Sequence, residues 1–127
     1  MIEVRFEKKA GVSAAWVRGI VGGTLAAEKA KKDMSVLITG DRQIRAINKR
    51  YLSHDFATDV VSFDTGDLVV SVDFARAYAR KIGITVREEL ARYLVHGTLH
   101  LLGYDDHEKK DHERMHARQE AILRKLL

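Results

Sequence analysis

The chain contains no cysteine and no proline among its 127 residues. Without thiols there is no disulfide, no disulfide-linked partner, no cysteine nucleophile and no thiolate cage, so any metal must be held by histidine and carboxylate. Without proline, turns fall to the nine glycines and to Asp, Asn and Ser. Long apolar runs are missing as well. No stretch nears the roughly 20 residues of a membrane span, and the opening "MIEVRFEKKAG" lacks the basic-then-apolar order of a signal peptide. The expectation is a cytoplasmic protein without a membrane association. Excess charge is small: 22 Lys and Arg against 18 Asp and Glu, a net +4, which permits a polyanionic partner without requiring one. A 46% apolar content fits one compact domain, residues 1–127, with its own core.

Periodicity divides the chain. "IEVRF", residues 2–6, alternates apolar and polar and predicts a strand with one wet face. Ser13 is placed to cap a helix running to Lys32, weakened in its middle by Gly22 and Gly23. "SVLITG" predicts a short strand, after which Asp41 is expected to cap a helix bearing Ile44, Ile47 and Tyr51 on one face. Tyr51 and Phe63 are expected in the core, with the tyrosine hydroxyl at its rim. "TDVVSF" and "GDLVVSV", joined by "DTG", predict a hairpin. Asp73 then caps a helix that Gly83 ends, and Thr85 with Glu88 forms a capping box for a longer helix that Gly103 stops. A final charged helix spans 109–126, striped with Met115, Ile122 and Leu126. Strands interleaved with helices indicate a layered α/β or α+β fold.

The long helix ends in "HGTLHLLGYDDH", residues 96–107. At about 100° per residue, His96 and His100 project from one face, one turn apart. Both flanking sides of the helix are apolar, and the histidines share a narrow polar sector with Glu89 and Arg92. Burying unpaired imidazoles would cost a few kcal/mol, a cost that a metal bound by the neutral rings removes. Past Gly103 the chain offers a third ligand, either Asp106 or His107, in the manner of H-x-x-x-H-x-x-G-x-x-H sites that keep a coordination position open. His112 and His116 are also four apart but sit on a charged helix, where solvent exposure is expected.

These residues resemble the YbeY family of rRNA-processing metalloendoribonucleases, whose pattern H-G-x-L-H-L-x-G-Y-D-H is matched through Asp105. Upstream, Asn48, Tyr51, Thr58, Asp59, Val60, Ser62, Phe63, Gly66 and Asp67 resemble the family's N-x-x-Y…T-D-V-x-S-F…G-D-I segment. The likeness covers residues 44–123. In family register the third ligand, usually histidine, is Asp106, and Met115 stands nine residues later as the family's methionine does; His107 is the alternative. Leu52 stands where most members carry a phosphate-contacting arginine, a role that Arg45, Arg50 or His54 could take over. The resemblance implies one zinc ion per chain on His96, His100 and Asp106, which would be catalytic, with Asn48 and Asp59 at the substrate; Arg50 and His54 are expected to bind substrate in place of the absent arginine. It further implies cleavage of single-stranded RNA in 16S rRNA 3′-end maturation and ribosome quality control, with the small ribosomal subunit as partner. Together these readings lead us to expect an α+β domain with a small mixed sheet of about four strands, four to five helices and a metal site at the end of a long helix.

Two competing functions have sequence discriminators. Zinc peptidases of this helix type carry a general-base Glu directly after the first histidine, where this chain has Gly97, so peptide hydrolysis would need another carboxylate such as Glu89. A ribosome-assembly factor that binds RNA around a structural metal would close the coordination shell with a fourth protein ligand, for which His54 and His112 are the candidates. If the fold gathered Arg42, Arg45, Lys49, Arg50, Arg76, Arg80, Lys81, Arg87 and Arg92 round the metal, they would form a phosphate path.

Overall fold

The computed structural model describes residues 1–127. In chain order the elements are β1 (Ile2–Phe6), α1 (Ala14–Ala27), β2 (Met34–Thr39), α2 (Asp41–Leu52), β3 (Val60–Ser62), β4 (Asp67–Ser71), α3 (Val72–Ile82), α4 (Val86–Leu101) and α5 (Lys109–Leu126). The sheet order is β1-β2-β4-β3. β1 pairs with β2, and β2 with β4, in parallel, whereas β3 and β4 form the antiparallel hairpin read from "DTG". The result is an α+β fold with a mixed sheet of four strands and five helices.

Alternation along the strands sorts the apolar residues onto two faces. Val36, Ile38, Leu68 and Val70 join the main core with α1, α4 and α5, while Val61 and Val69 turn to the other face and pack with Ile44 of α2. α4 runs through the centre, touching α1, α3, α5 and the β3–β4 hairpin. This surrounds it with protein, which is why its sequence is apolar on opposite sides.

Several caps differ from the sequence expectation. α1 ends at Ala27 rather than Lys32. Lys29 takes a left-handed φ of 52°, and the Ala30 N–H bonds back to the Leu25 carbonyl, so the chain turns away. α2 is capped by Gly40 without a side-chain bond, and α3 by Ser71, whose hydroxyl accepts from the Phe74 N–H. The two aspartates expected as caps are exchanged between helices instead. Asp73 accepts from the Asp41 N–H at 2.9 Å, and Asp41 accepts from the Ser71 hydroxyl at 2.7 Å. The starts of α2 and α3 are thereby fastened together at the ends of β2 and β4. Thr85 caps α4 as expected, but the Glu88 carboxylate turns to Arg92 rather than completing the box.

Candidate metal centre

The sequence places His96 and His100 on the last turns of α4, and the fold closes the cluster. Gly103, at φ 100°, takes a conformation that side chains disfavour. The N–H groups of Gly103 and Tyr104 bond back to the carbonyls of His100 and Leu99, which reverses the chain. Asp106 then returns to the helix end, with Oδ2 at 3.5 Å from His100 Nε2 and 3.9 Å from His96 Nε2. The two Nε2 atoms are 3.1 Å apart, and the donor atoms of the three residues lie within 4.8 Å of one another. Ligands at zinc distances in a tetrahedron stand about 3.3–3.4 Å apart, so these separations suit one small divalent ion. His107 points elsewhere: its side chain is 88% exposed and its ring faces Asp105.

The outer nitrogens settle which atoms face the centre. His96 Nδ1 meets Gln119 Oε1 at 2.7 Å, and the Gln119 amide nitrogen donates to Glu120 at 3.0 Å. With the amide so oriented, Oε1 can only accept, and His96 carries its proton on Nδ1. His100 Nδ1 donates to the Tyr104 carbonyl at 3.0 Å. Both Nε2 atoms therefore present lone pairs to the same point, an arrangement that a cation satisfies and neutral rings alone do not. Burial holds the His96 ring below its ordinary value, against the opposing pull of Gln119, and so favours the neutral form that ligates.

A partly buried polar network lies behind His96. Arg92 bonds Glu120 at 3.0 Å, Glu89 at 2.8 Å and Glu88 at 3.2 Å, and these carboxylates raise the guanidinium further above its usual range. Behind His100, the Tyr104 hydroxyl donates to Glu28 at 2.6 Å, and Arg118 donates to the other Glu28 oxygen at 2.6 Å. Sequence reading located Arg92 and Glu89 beside the histidines but missed Gln119, Glu120, Glu28 and Arg118. Their only sequence signal is polar character on helices or, for Glu28, just past one, and the bonds from His96 to Gln119 and from Arg118 to Glu28 span 23 and 90 residues.

Two clefts meet at the cluster, sharing Asp59 and His96. One, of about 570 Å³, includes Tyr93, Asp106, His112 and His116; the other, of about 430 Å³, includes His54, Phe56, Asp59 and His100. Asp59 Oδ1 accepts from the Val60 N–H at 2.7 Å and from Thr58. Asn48 is 2% exposed, and its amide donates to the Phe56 carbonyl at 3.1 Å, holding the loop that follows α2. Arg50 is exposed and lies over the Tyr51 ring, and Arg45 is paired with Asp55 at 2.9 Å. Of the three residues considered in place of an arginine at Leu52, His54 alone lines a cleft beside the histidines.

Three expectations are corrected. Tyr51 is 60% exposed rather than core, edge-on to a partly buried Phe63 at 5.8 Å, because α2 covers the sheet with Ile44 and Ile47 instead. The basic residues of α2, α3 and α4 do not converge on the metal cluster. Arg92 alone lines a cleft there, and three carboxylates already bind it; Arg76 reaches the Lys9 carbonyl and Arg87 lies over Trp16. Glu89 is 4% exposed and locked to Arg92, so it does not stand in for a peptidase base. Nor is there room for one at Gly97, where a Cβ would collide with Leu68 Cδ1.

The chain matches the family model described as Endoribonuclease YbeY over residues 3–127. It is 46% identical over 105 residues to an Endoribonuclease YbeY of Anaeromyxobacter sp., covering 75% of this chain and 54% of that protein. The corresponding protein of Myxococcus xanthus is 40% identical over 104 residues, 72% of this chain and 35% of that protein. The chain thus spans about half or less of the length of these two relatives. A third, from Porphyromonas gingivalis, is 36% identical over 126 residues, 89% of this chain and 83% of its own. Among solved structures, the solution structure of a Thermotoga maritima protein superimposes with a TM-score of 0.75, covering 99% of this chain and 89% of that one at 23% identity; this likeness bears on the fold.

Proposed function

The chain belongs to the YbeY endoribonuclease family, and from that membership we propose that it is a metal-dependent endoribonuclease that cleaves single-stranded RNA. The finer reading is one zinc ion per chain, held by His96, His100 and Asp106. Its proposed setting is the cytoplasm, in 16S rRNA 3′-end maturation and ribosome quality control, with the small ribosomal subunit as partner. No helix is long and apolar enough to cross a membrane. The observation that carries the proposal is the convergence of two Nε2 lone pairs and the Asp106 carboxylate at the junction of two clefts.

A divalent metal bound there supplies Lewis acidity toward a phosphoryl oxygen and acidifies water near neutral pH. The protein's own part is orientation. Gln119 and the Tyr104 carbonyl hold the Nδ1 protons of His96 and His100, keeping both Nε2 atoms aimed inward. Asp59 borders both clefts beside His96. Its Oδ1 is occupied by the Val60 N–H, which leaves Oδ2 as the atom proposed to take a proton or a ribose hydroxyl. Three protein donors form the group, and neither His54 nor His112 joins it; a zinc ion held there would keep a position for substrate, as catalytic rather than structural zinc sites require.

The test is incubation of the zinc-loaded protein with single-stranded RNA from the 3′ end of small-subunit rRNA, beside a His96→Ala/His100→Ala variant. Cleavage that disappears with the metal in the variant supports the proposal. Zinc bound stoichiometrically without cleavage would shift it to a ribosome-assembly factor with a structural metal.

A further inference from the structure

The cleft that leads to His100 carries no lysine or arginine on its walls, and two carboxylates, Asp59 and Asp64, border it. A polyanion entering there meets no fixed cation apart from what the metal cluster holds. The cleft offers an aromatic surface instead. Phe56 is 55% exposed, and the His54 ring lies within 12° of parallel to it at a centroid distance of 5.3 Å; both line the same cleft as His96 and His100.

This surface is held in place although it lies on a loop. Ser53 ends α2 in a left-handed conformation, the His54 N–H bonds to the Asn48 carbonyl at 3.2 Å, and the Asn48 amide holds the Phe56 carbonyl. Arg45 donates to Asp55, the residue between His54 and Phe56 in the chain, at 2.9 Å. A phenyl ring that is 55% exposed on a pinned backbone, with the His54 ring stacked beside it, is preorganised to stack on a flat apolar partner, since little conformational freedom remains to be lost on binding.

We propose that the His54–Phe56 pair is a nucleobase-stacking shelf that receives one unpaired base of the RNA strand next to the phosphate at the metal centre. The inference rests on the RNA-cleaving reading and adds the part of the nucleotide that this cleft recognises. Stacking suits the chemistry of the walls: every base has an aromatic face, so the contact needs no cationic groove and discriminates weakly among sequences. It also requires the strand to be single, because a paired base has its faces covered by its neighbours.

The experiment measures binding of the zinc-loaded protein to two short fluorescent probes, a 2′-O-methyl oligoadenylate and a ribose-phosphate oligomer of equal length without bases. The wild-type protein is expected to prefer the oligoadenylate. Phe56→Ala should weaken that binding by about 5- to 100-fold and leave the base-free probe and the zinc content unchanged, and Phe56→Trp should restore it. Unchanged oligoadenylate binding by Phe56→Ala, equal loss for both probes, or no wild-type preference for bases would overturn the shelf. Cleavage of unmodified RNA is scored separately. Base-dependent binding without cleavage upholds the shelf and removes the nuclease reading, whereas cleavage with binding indifferent to Phe56 removes the shelf alone.

Discussion

Gln119 accepts the Nδ1 proton of His96 across 2.7 Å, joining two helices whose residues here lie 23 positions apart. The amide cannot turn over without losing its bond to Glu120, and Glu120 is held in turn by Arg92. A chain of side chains thus determines which nitrogen of His96 is free. Replacing Gln119 with leucine should lower zinc affinity about 10- to 100-fold, while Gln119→Glu, which keeps an acceptor at the same reach, should retain most of it. Competition against a chromogenic chelator reads the affinity. Nitrogen NMR of the metal-free protein reads the tautomer, which should shift from Nδ1–H toward a mixture in the leucine variant only.

The neighbours Asp106 and His107 should behave differently. Asp106→Ala should abolish stoichiometric zinc binding and with it the rise in melting temperature on adding zinc, a rise that follows from the metal binding the folded state alone. His107→Ala should leave both as in the wild type, since that ring is exposed and faces Asp105. Zinc lost in His107→Ala and kept in Asp106→Ala would reverse the assignment.

Gly97 sits where α4 crosses the hairpin, with Leu68 and Val60 in the space a side chain would need, and its carbonyl accepts from Ser62 at 3.2 Å. Gly97→Ala should destabilise the protein by about 1–3 kcal/mol through overpacking, despite alanine's better helix propensity. Urea unfolding measures the sign. A stabilised variant would mean that the hairpin yields.

Acid should weaken the protein through carboxylates that are not among the candidate metal ligands. The Lys8 ammonium and then the Asp41 N–H hold Asp73 below its ordinary 3.8. At Glu28 burial acts upward, but Tyr104 and Arg118 outweigh it and bring the group below 4.5. Because the native values are depressed, the stability these groups contribute is complete above the unfolded values and is lost as pH falls through the native ones. Melting temperature should therefore decline below about pH 4. Asp73→Ala should cost about 1 kcal/mol at neutral pH by unbinding the α2 terminus and should flatten the decline. A variant with an acid limb as steep as the wild type would dissociate Asp73 from it.

Much of the architecture follows from local pattern. The strand alternation of β1, the hairpin at "DTG", the Gly83 stop of α3 and the span of α5 are each set by residues within a few positions of one another. The histidine pair is legible for the same reason, since helical spacing alone puts His96 and His100 on one face. α1 ends short of the expected Lys32 because "EKAKK" is a sound helix terminus only locally, whereas Glu28 is claimed by Tyr104 and Arg118 from the far end of the chain.

The amino-acid sequence by itself determined the element order, the donor types available to a metal and the two helical imidazoles, since these depend on composition and on periodicities of two or about 3.6 residues. Tertiary structure alone decided that Asp106 rather than His107 meets them, that Gln119 and the Tyr104 carbonyl orient them, and that no lysine or arginine lines the cleft at His100. These outcomes turn on the direction of a side chain after a reversal and on partners up to 90 residues apart. Such partners come within hydrogen-bonding reach only when α4 is enclosed by its neighbours, and hydrogen bonds are decided over tenths of an ångström that no spacing rule resolves.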